Sequence, residues 1–280
     1  EKYHDQEIFL SEALAIEACY EIEQAVETGK PFFLHFAPYA VHAPLMPNPK
    51  YIGKYKDIDK REAAYATMIE SADAALGSVL EQLDKLGIAD NTIVIFTSDN
   101  GGLSAHARGG QAHTHNAPLR SGKGSAYEGG IRVPLIVQGL DKKASVSDAT
   151  VITHDLFPTV LQYVGIDIPD GHVIDGIALE DVQSDRVIGW HQPHQWGASG
   201  PGIEPFTAIR QGKWKLIFFH ADERYELYNL ETDIGETKSV IPHFPLIFKE
   251  MRNTLLNWAI NREAQPSILT ETGEGVIWHE

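Results

Sequence analysis

The 280 residues carry 43% apolar and 22% charged side chains, an ordinary balance for a chain long enough for one large domain or two unequal ones. A formal charge of −16 excludes the basic face that nucleic-acid binding requires, so an anionic ligand needs local attraction from a metal or a few cations. The single cysteine, Cys19, excludes an internal disulfide and a zinc site built from several thiolates.

No apolar run reaches the roughly 20 residues needed to span a bilayer. The richest, Pro31 to Leu45, is broken by His35, Pro38, His42 and Pro44. The chain opens on Glu1 without a basic and then apolar leader, so the expectation is a processed, excised or truncated sequence without a signal peptide. Leu10, Leu14, Ala18, Ile22 and Val26 recur every four residues and predict an amphipathic helix ending near Gly29. Pro31 to Ala37 (PFFLHFA) is too short for a helix and predicts a buried strand. Tyr65, Met68, Ile69, Ala72, Leu76, Val79, Leu80 and Leu83 share one face of a second helix, with Gly87 as its stop signal.

After a turn at Asp90-Asn91, Thr92 to Thr97 (TIVIFT) reads as a strand buried on both faces, and Val133 to Gln138 as another. A helix is predicted near Asp155 to Val164, where Pro158 is tolerated because first-turn N–H groups need no intrahelical partner. Strands alternating with long helices indicate an α/β domain on a mixed, largely parallel sheet flanked by helices. The pattern changes near Ser184. Phe206 to Arg210, Lys213 to Phe219 and Tyr225 to Leu230 predict three short antiparallel strands. Phe244 to Ile260 predicts a closing helix with Leu246, Ile247, Met251, Leu255 and Trp258 inward. The expected division is therefore residues 1–184 and a small α+β domain over 185–280.

Three segments carry chemistry. Ser98-Asp99-Asn100-Gly101-Gly102 follows a strand at its carboxyl end, where ligands bind in open α/β sheets. Asp99 and Asn100 offer adjacent oxygens suited to a hard cation such as calcium; the bland alternative is an Asp-Asn-Gly turn that only reverses the chain. The second segment runs from Leu119 to Pro134 and sets Lys123 between Gly122 and Gly124, where its ammonium can reach an anion held near the backbone. It is not a phosphate-binding P-loop, because Ala117 occupies the position of that motif's first glycine and no strand precedes it. A solvated loop lysine is the competing reading. In the third, Ala40 to Leu45, His42 can donate to an anion or protonate a leaving group, or can be a hydrogen-bonded structural histidine.

Strand-His-x-Pro, a long helix, strand-Ser-Asp-Asn-Gly and Gly-Lys-Gly-x-x-Tyr-Glu-Gly-Gly-x-Arg-x-Pro stand here in one order. From about Lys30 to its end the chain thereby resembles the formylglycine-dependent sulfatases of the alkaline-phosphatase superfamily. Arg210 to Leu216 (RQGKWKL) and Glu226 to Leu230 (ELYNL) look like strands of that family's small C-terminal domain. Ile234 stands where such sequences often have proline. The resemblance implies an alkaline-phosphatase-like fold, present in part, and hydrolysis of sulfuric esters, with a sulfated carbohydrate or small molecule as substrate.

By that resemblance Asp99 and Asn100 are calcium ligands, and Lys123 and His42 hold the sulfate and assist the leaving group. The family's remaining metal aspartates and its Cys- or Ser-x-Pro-x-Arg segment, source of the formylglycine nucleophile, have no counterpart in these residues. Cys19 lacks the following proline and arginine and reads as a packed small residue. The chain alone is therefore expected not to turn over sulfate esters. Arg108, His113 and His115 in one loop, and His191 and His194 in Trp-His-Gln-Pro-His, are candidates for substrate contact, with Trp190 or Trp196 as ring platforms. Solvated or interdomain histidines are the competing reading. Glu128 and Arg132 are expected to brace the lysine loop. Two further readings stay open: phosphate or phosphonate ester hydrolysis on the same scaffold, and a non-catalytic relative that binds sulfated glycans. A periplasmic or secreted location is implied by the resemblance alone.

Overall fold

The computed structural model describes residues 2–105, 109, 116–139 and 143–276. The chain forms two compact units, Glu1–Phe96 with Leu135–Lys143, and Thr97–Pro134 with Ala144–Glu280. The sequence places a break near Ser184; residues 97–134 and 144–183 group instead with the C-terminal sheet. Among the described residues no helix is long and apolar enough to cross a membrane.

In the first unit, helix α1 (Leu10–Thr28) stops at Gly29, whose φ of +66° lets its N–H reach Val26 O at 3.0 Å. Helix α2 (Lys60–Lys85) starts at Asp59, whose carboxylate accepts from the Arg61 and Glu62 N–H groups. Gly87 at φ +69° turns the chain out of α2, with its N–H on Asp84 O and that of Ile88 on Leu83 O. Ala18 and Ile22 of α1 pack on Val79 and Leu83 of α2, with Cys19 and Phe36 at the margin. Cys19 is thus a packing residue, as its context suggested.

Strand β1 (Val94–Thr97) is followed in the chain by a one-turn helix α3 (Glu128–Ile131) and then by β2 (Leu135–Gln138), the strand that pairs with β1. Two expectations fail here. Pro31–Ala37 is not a strand; it runs without regular structure and leaves Phe33 79% exposed, because among the described residues no neighbouring strand supplies a ladder. Nor is β1 buried on both faces, since Phe96 is 43% and its sheet neighbourhood's Ile136 59% exposed.

The second unit is built on an antiparallel sheet in the order β3 (Val187–Gln192), β4 (Phe206–Gln211), β5 (Trp214–Phe219), β6 (Arg224–Asn229). The first strand, β3, was not anticipated. Its Gly189 weakens the strand signal, and it is glycine because a Cβ there would lie 2.4 Å from the Trp258 ring. Period-two alternation sorts the sheet's side chains onto two faces. Ile209, Leu216, Phe218 and Leu227 pack on Met251 and Leu255 of the last helix, α5 (Pro245–Asn261), which follows α4 (Leu156–Tyr163) in the chain. Leu246, expected inward, is 75% exposed, while Leu256 and Ala259 are buried instead. The helix starts at Pro245, so Leu246 lies in a first turn beyond the sheet's cover.

The opposite face carries Phe206, Ala208, Ile217, Phe219 and Tyr228, and is covered by Ala126 and Tyr127. The loop that holds Lys123 is therefore a layer of this unit's core. At the start of α4, buried Asp155 pairs with Arg186 and accepts from the Ile152 and Ile177 N–H groups at 2.8 and 3.0 Å.

Candidate functional site

Two glycine-bearing loops of the second unit interlock. Gly101 N donates to Gly130 O at 2.9 Å, Lys123 N to Gly102 O at 3.1 Å and Gly129 N to Arg120 O at 3.0 Å. A Cβ on Gly101 would sit 1.8 Å from Gly129 O, one on Gly122 2.3 Å from Gly102 O, and one on Gly129 2.3 Å from Arg120 O. These glycines let two backbones touch, a closer approach than any L side chain allows. Asn116 pins the clasp by donating to Gly102 O and Ser121 O and accepting from Gly102 N. The Asp-Asn-Gly-Gly segment is therefore held against the lysine loop and is not a free chain reversal.

On this clasp, Asp99 is exposed and Asn100 is partly buried. Asn100 Nδ2 donates to Gly101 O at 2.9 Å, and Ser98 Oγ donates to Asn100 O at 3.0 Å. A carboxylate and an amide oxygen on adjacent residues have the chemistry a hard cation takes. They supply only part of the about six to eight oxygens that calcium gathers. Among the described residues, no group of three or more His, Cys, Asp or Glu completes a metal site.

Lys123 is partly buried, between Gly122 and Gly124, and among the described residues its ammonium has no ion-pair partner. Gly124, at φ +84°, carries the indole of Trp196 directly on its Cα: a Cβ there would meet Trp196 Cε3 at 2.3 Å. Ser125 Oγ donates to Pro201 O at 2.9 Å, and Ala126 N to Gly202 O at 3.0 Å.

Beneath the loop lies a charged cluster. Lys215 of β5 is 0% exposed; its Nζ donates to Glu128 Oε1 at 2.9 Å and forms an ion pair with Glu236 Oε1 at 2.8 Å. Glu236 Oε2 in turn accepts from Glu128 N at 2.6 Å, at the start of α3. Arg132 and Arg210 approach Glu128 Oε2 at 3.3 and 3.6 Å, and Arg120 donates to Glu236 O at 2.7 Å. Burial opposes ionisation of Glu128, but Lys215 and the two arginines outweigh it and hold its carboxyl below the usual range. Burial, helped by the Glu128 charge, pushes Glu236 up. Glu128 and Arg132 lie where a brace was expected. Lys215 and Glu236 were missed, although a lysine inside the apolar run Trp214–Phe219 was a legible signal.

The remaining candidates fall differently. His42 belongs to the first unit, is exposed, and meets the Tyr39 ring edge-on at 5.4 Å between centroids. Its Nδ1 lies 2.7 Å from Ala43 O, which can only accept, so Nδ1 carries a proton and the second ring nitrogen is the one left for chemistry. His191 has both ring nitrogens engaged inside the second unit, with Thr207 Oγ1 at 2.8 Å and Gln265 O at 2.7 Å. His194 is exposed just beyond β3. Arg108, His113 and His115 lie outside the described residues.

Residues 2–166 match the family model described as Sulfatase, and residues 122–260 match N-sulphoglucosamine sulphohydrolase, C-terminal. A Formosa agariphila protein described as a sulfatase is 32% identical over 300 residues, covering 95% of this chain and 53% of that protein. Human N-acetylgalactosamine-6-sulfatase is 34% identical over 284 residues, covering 84% of this chain and 53% of the human one. The crystal structure of Ps i-CgsB in complex with k-i-k-neocarrahexaose aligns with TM-score 0.78 and 27% identity, covering 91% of this chain and 57% of that one. The chain spans about half the length of the curated relatives it matches. With the clasp motif, the family model over residues 2–166 and a third of its positions shared with named sulfatases, the chain belongs to the sulfatase family.

Proposed function

We propose that this chain forms part of a sulfuric ester hydrolase acting on a sulfated carbohydrate. The observation that carries the reading is the clasp that holds the Lys123 loop against Asp99-Asn100-Gly101-Gly102. It sets an ammonium on the same rigid backbone unit as two hard oxygen donors. The relatives' names support the substrate class, since they include an N-acetylgalactosamine-6-sulfatase and a protein crystallised with neocarrahexaose.

In this reading Asp99 and Asn100 hold a calcium ion, which when bound supplies positive charge to the sulfate oxygens. Lys123 binds the sulfate and offsets charge that builds on the bridging oxygen as the S–O bond breaks; one well-placed donor of this kind is worth roughly 3 kcal/mol. His42 protonates the departing alcohol. Its Nδ1 proton is committed to Ala43 O, so Nε2 donates only from the imidazolium form. His194, exposed just beyond β3, contacts the sugar. The 280 residues contain no Cys- or Ser-x-Pro-x-Arg segment, so this polypeptide binds the ester without turning it over. We also assign β1 and β2 to one mixed, largely parallel sheet. The apolar side chains exposed along them support this, and an antiparallel β1–β2 pair in an experimental structure would remove it.

The test is calorimetric. Calcium should bind the chain, Asp99→Ala should abolish that binding, and Lys123→Ala should weaken the binding of galactose 6-sulfate. Calcium affinity unchanged by Asp99→Ala, or sulfate release by the purified chain, would overturn the respective assignment.

A further inference from the structure

We propose that Trp196 is the sugar platform of this site and sets its carbohydrate preference by stacking on the ring that bears the sulfate. The proposal rests on the sulfatase reading and adds to it a residue that selects the organic part of the ester.

Of the four tryptophans among the described residues, three are committed to the small domain. Trp190 packs against the cluster around Phe206 and Tyr228, while Trp214 and Trp258 pack against that of Leu216 and Leu255. Trp196 belongs to neither cluster. It is partly buried, and its six-membered ring rests on Gly124, the residue next to Lys123. Consecutive Cα atoms are about 3.8 Å apart, so the indole packs on the loop backbone one residue from Lys123.

The loop that carries the ring is also held there. Gln195 Nε2 donates to Trp196 O at 2.9 Å, and reaches Ala198 O and Ile203 O at 3.3 and 3.4 Å. Further along, Pro201 O and Gly202 O accept from Ser125 Oγ and Ala126 N, tying the loop to the residues just after Lys123. Gly202 itself has no room for a Cβ, which would fall 2.6 Å from the Tyr127 ring. A flat aromatic fixed on the loop that carries a lysine matches a ligand with an anionic group on an apolar-faced ring. A pyranose sulfate is such a ligand: its C–H face suits the indole and its sulfate suits the ammonium.

The experiment compares galactose 6-sulfate with inorganic sulfate by calorimetry, in calcium, on the full chain and on Trp196→Leu, Trp196→Phe and Lys123→Ala. Leucine keeps apolar cover on Gly124 but removes the flat face, and phenylalanine restores a ring. Trp196→Leu should weaken galactose 6-sulfate about ten-fold and leave inorganic sulfate unchanged, with Trp196→Phe in between. Lys123→Ala should weaken both ligands. If Trp196→Leu changes neither ligand, or both equally, while Lys123→Ala weakens both, the platform is refuted and the sulfatase reading stands. If the full chain binds neither ligand, or Lys123→Ala has no effect, the anion site fails and the platform with it.

Discussion

Replacing Lys215 by methionine removes a buried cation that two buried carboxylates share while keeping a side chain of similar length. In the native protein its Nζ lies 2.9 Å from Glu128 Oε1 and 2.8 Å from Glu236 Oε1, and all three side chains are at most 2% exposed. Breaking a buried pair from one side costs about 3–5 kcal/mol, because the charge left behind has neither water nor partner. The cluster has an escape, however: Glu236 is already pushed toward its neutral form and can take up a proton. Protonating a carboxyl of ordinary pKa near 4.3 at pH 7 costs roughly 3.7 kcal/mol, and about 1.4 kcal/mol less for each pH unit below that. The loss should therefore be about 3–4 kcal/mol at pH 7 and shrink to about 1 kcal/mol at pH 5. The assay is urea unfolding followed by tryptophan fluorescence. All five tryptophans lie between residues 190 and 278, so the signal reports the second unit. Adding Glu236→Gln to the variant should restore much of the loss at pH 7. A loss below about 1 kcal/mol at pH 7, or one that does not change between the two pH values, would refute the view that this cluster braces the loop.

Other consequences are simpler to state. His220 is buried, with Thr207 Oγ1 and Ser267 Oγ at its ring nitrogens, and burial followed by the neighbouring His191 pushes its pKa down to about 4. Its folded value lies below the ordinary value near 6.5, so the neutral ring contributes stability above pH 6.5 that is lost as pH falls toward 4, about 3 kcal/mol in all. Urea midpoints measured across that window should fall in the native chain and stay flatter in His220→Gln; equal slopes would count against the assignment. Gly101→Ala places a methyl group 1.8 Å from Gly129 O, so the clasp must part. It should cost at least about 2 kcal/mol and weaken calcium binding, whereas Gly77→Ala, with open space around it, should do neither. Asp155→Asn leaves Arg186 without its buried partner and should cost about 3 kcal/mol by the same unfolding assay, with an unchanged midpoint as the contrary result.

What could be read in advance followed from local chemistry. The helices were legible because burial of one face repeats at helical spacing and glycine can adopt the φ that ends each of them, at Gly29 and Gly87. The strands of the small sheet were legible except β3, where Gly189 removes the side chain that would have signalled it. That glycine makes sense only with Trp258, which comes from a helix almost 70 residues later. The run Pro31–Ala37 failed in the other direction. Apolar composition announces a surface that seeks cover, but a strand also needs a hydrogen-bonded neighbour, and composition says nothing about that.

The same distinction explains the site. Asp99, Asn100 and Lys123 were visible because their residue types and glycine neighbours are local. The reason for the glycines was not visible: they let one loop's carbonyls enter the other's backbone, as Gly129 O does at Gly101. Nor was the support. Lys215 lies 87 residues from Glu128, and only the register of β4, β5 and β6 turns it toward the lysine loop together with Phe219 and Tyr228. The small sheet is therefore the floor on which the Lys123 loop is mounted, with Tyr127 packed into its core and Glu128 bonded to its buried cation. A substitution on β5 should accordingly be felt at Lys123 through Glu128, although no residue of that strand stands among the site's own ligands.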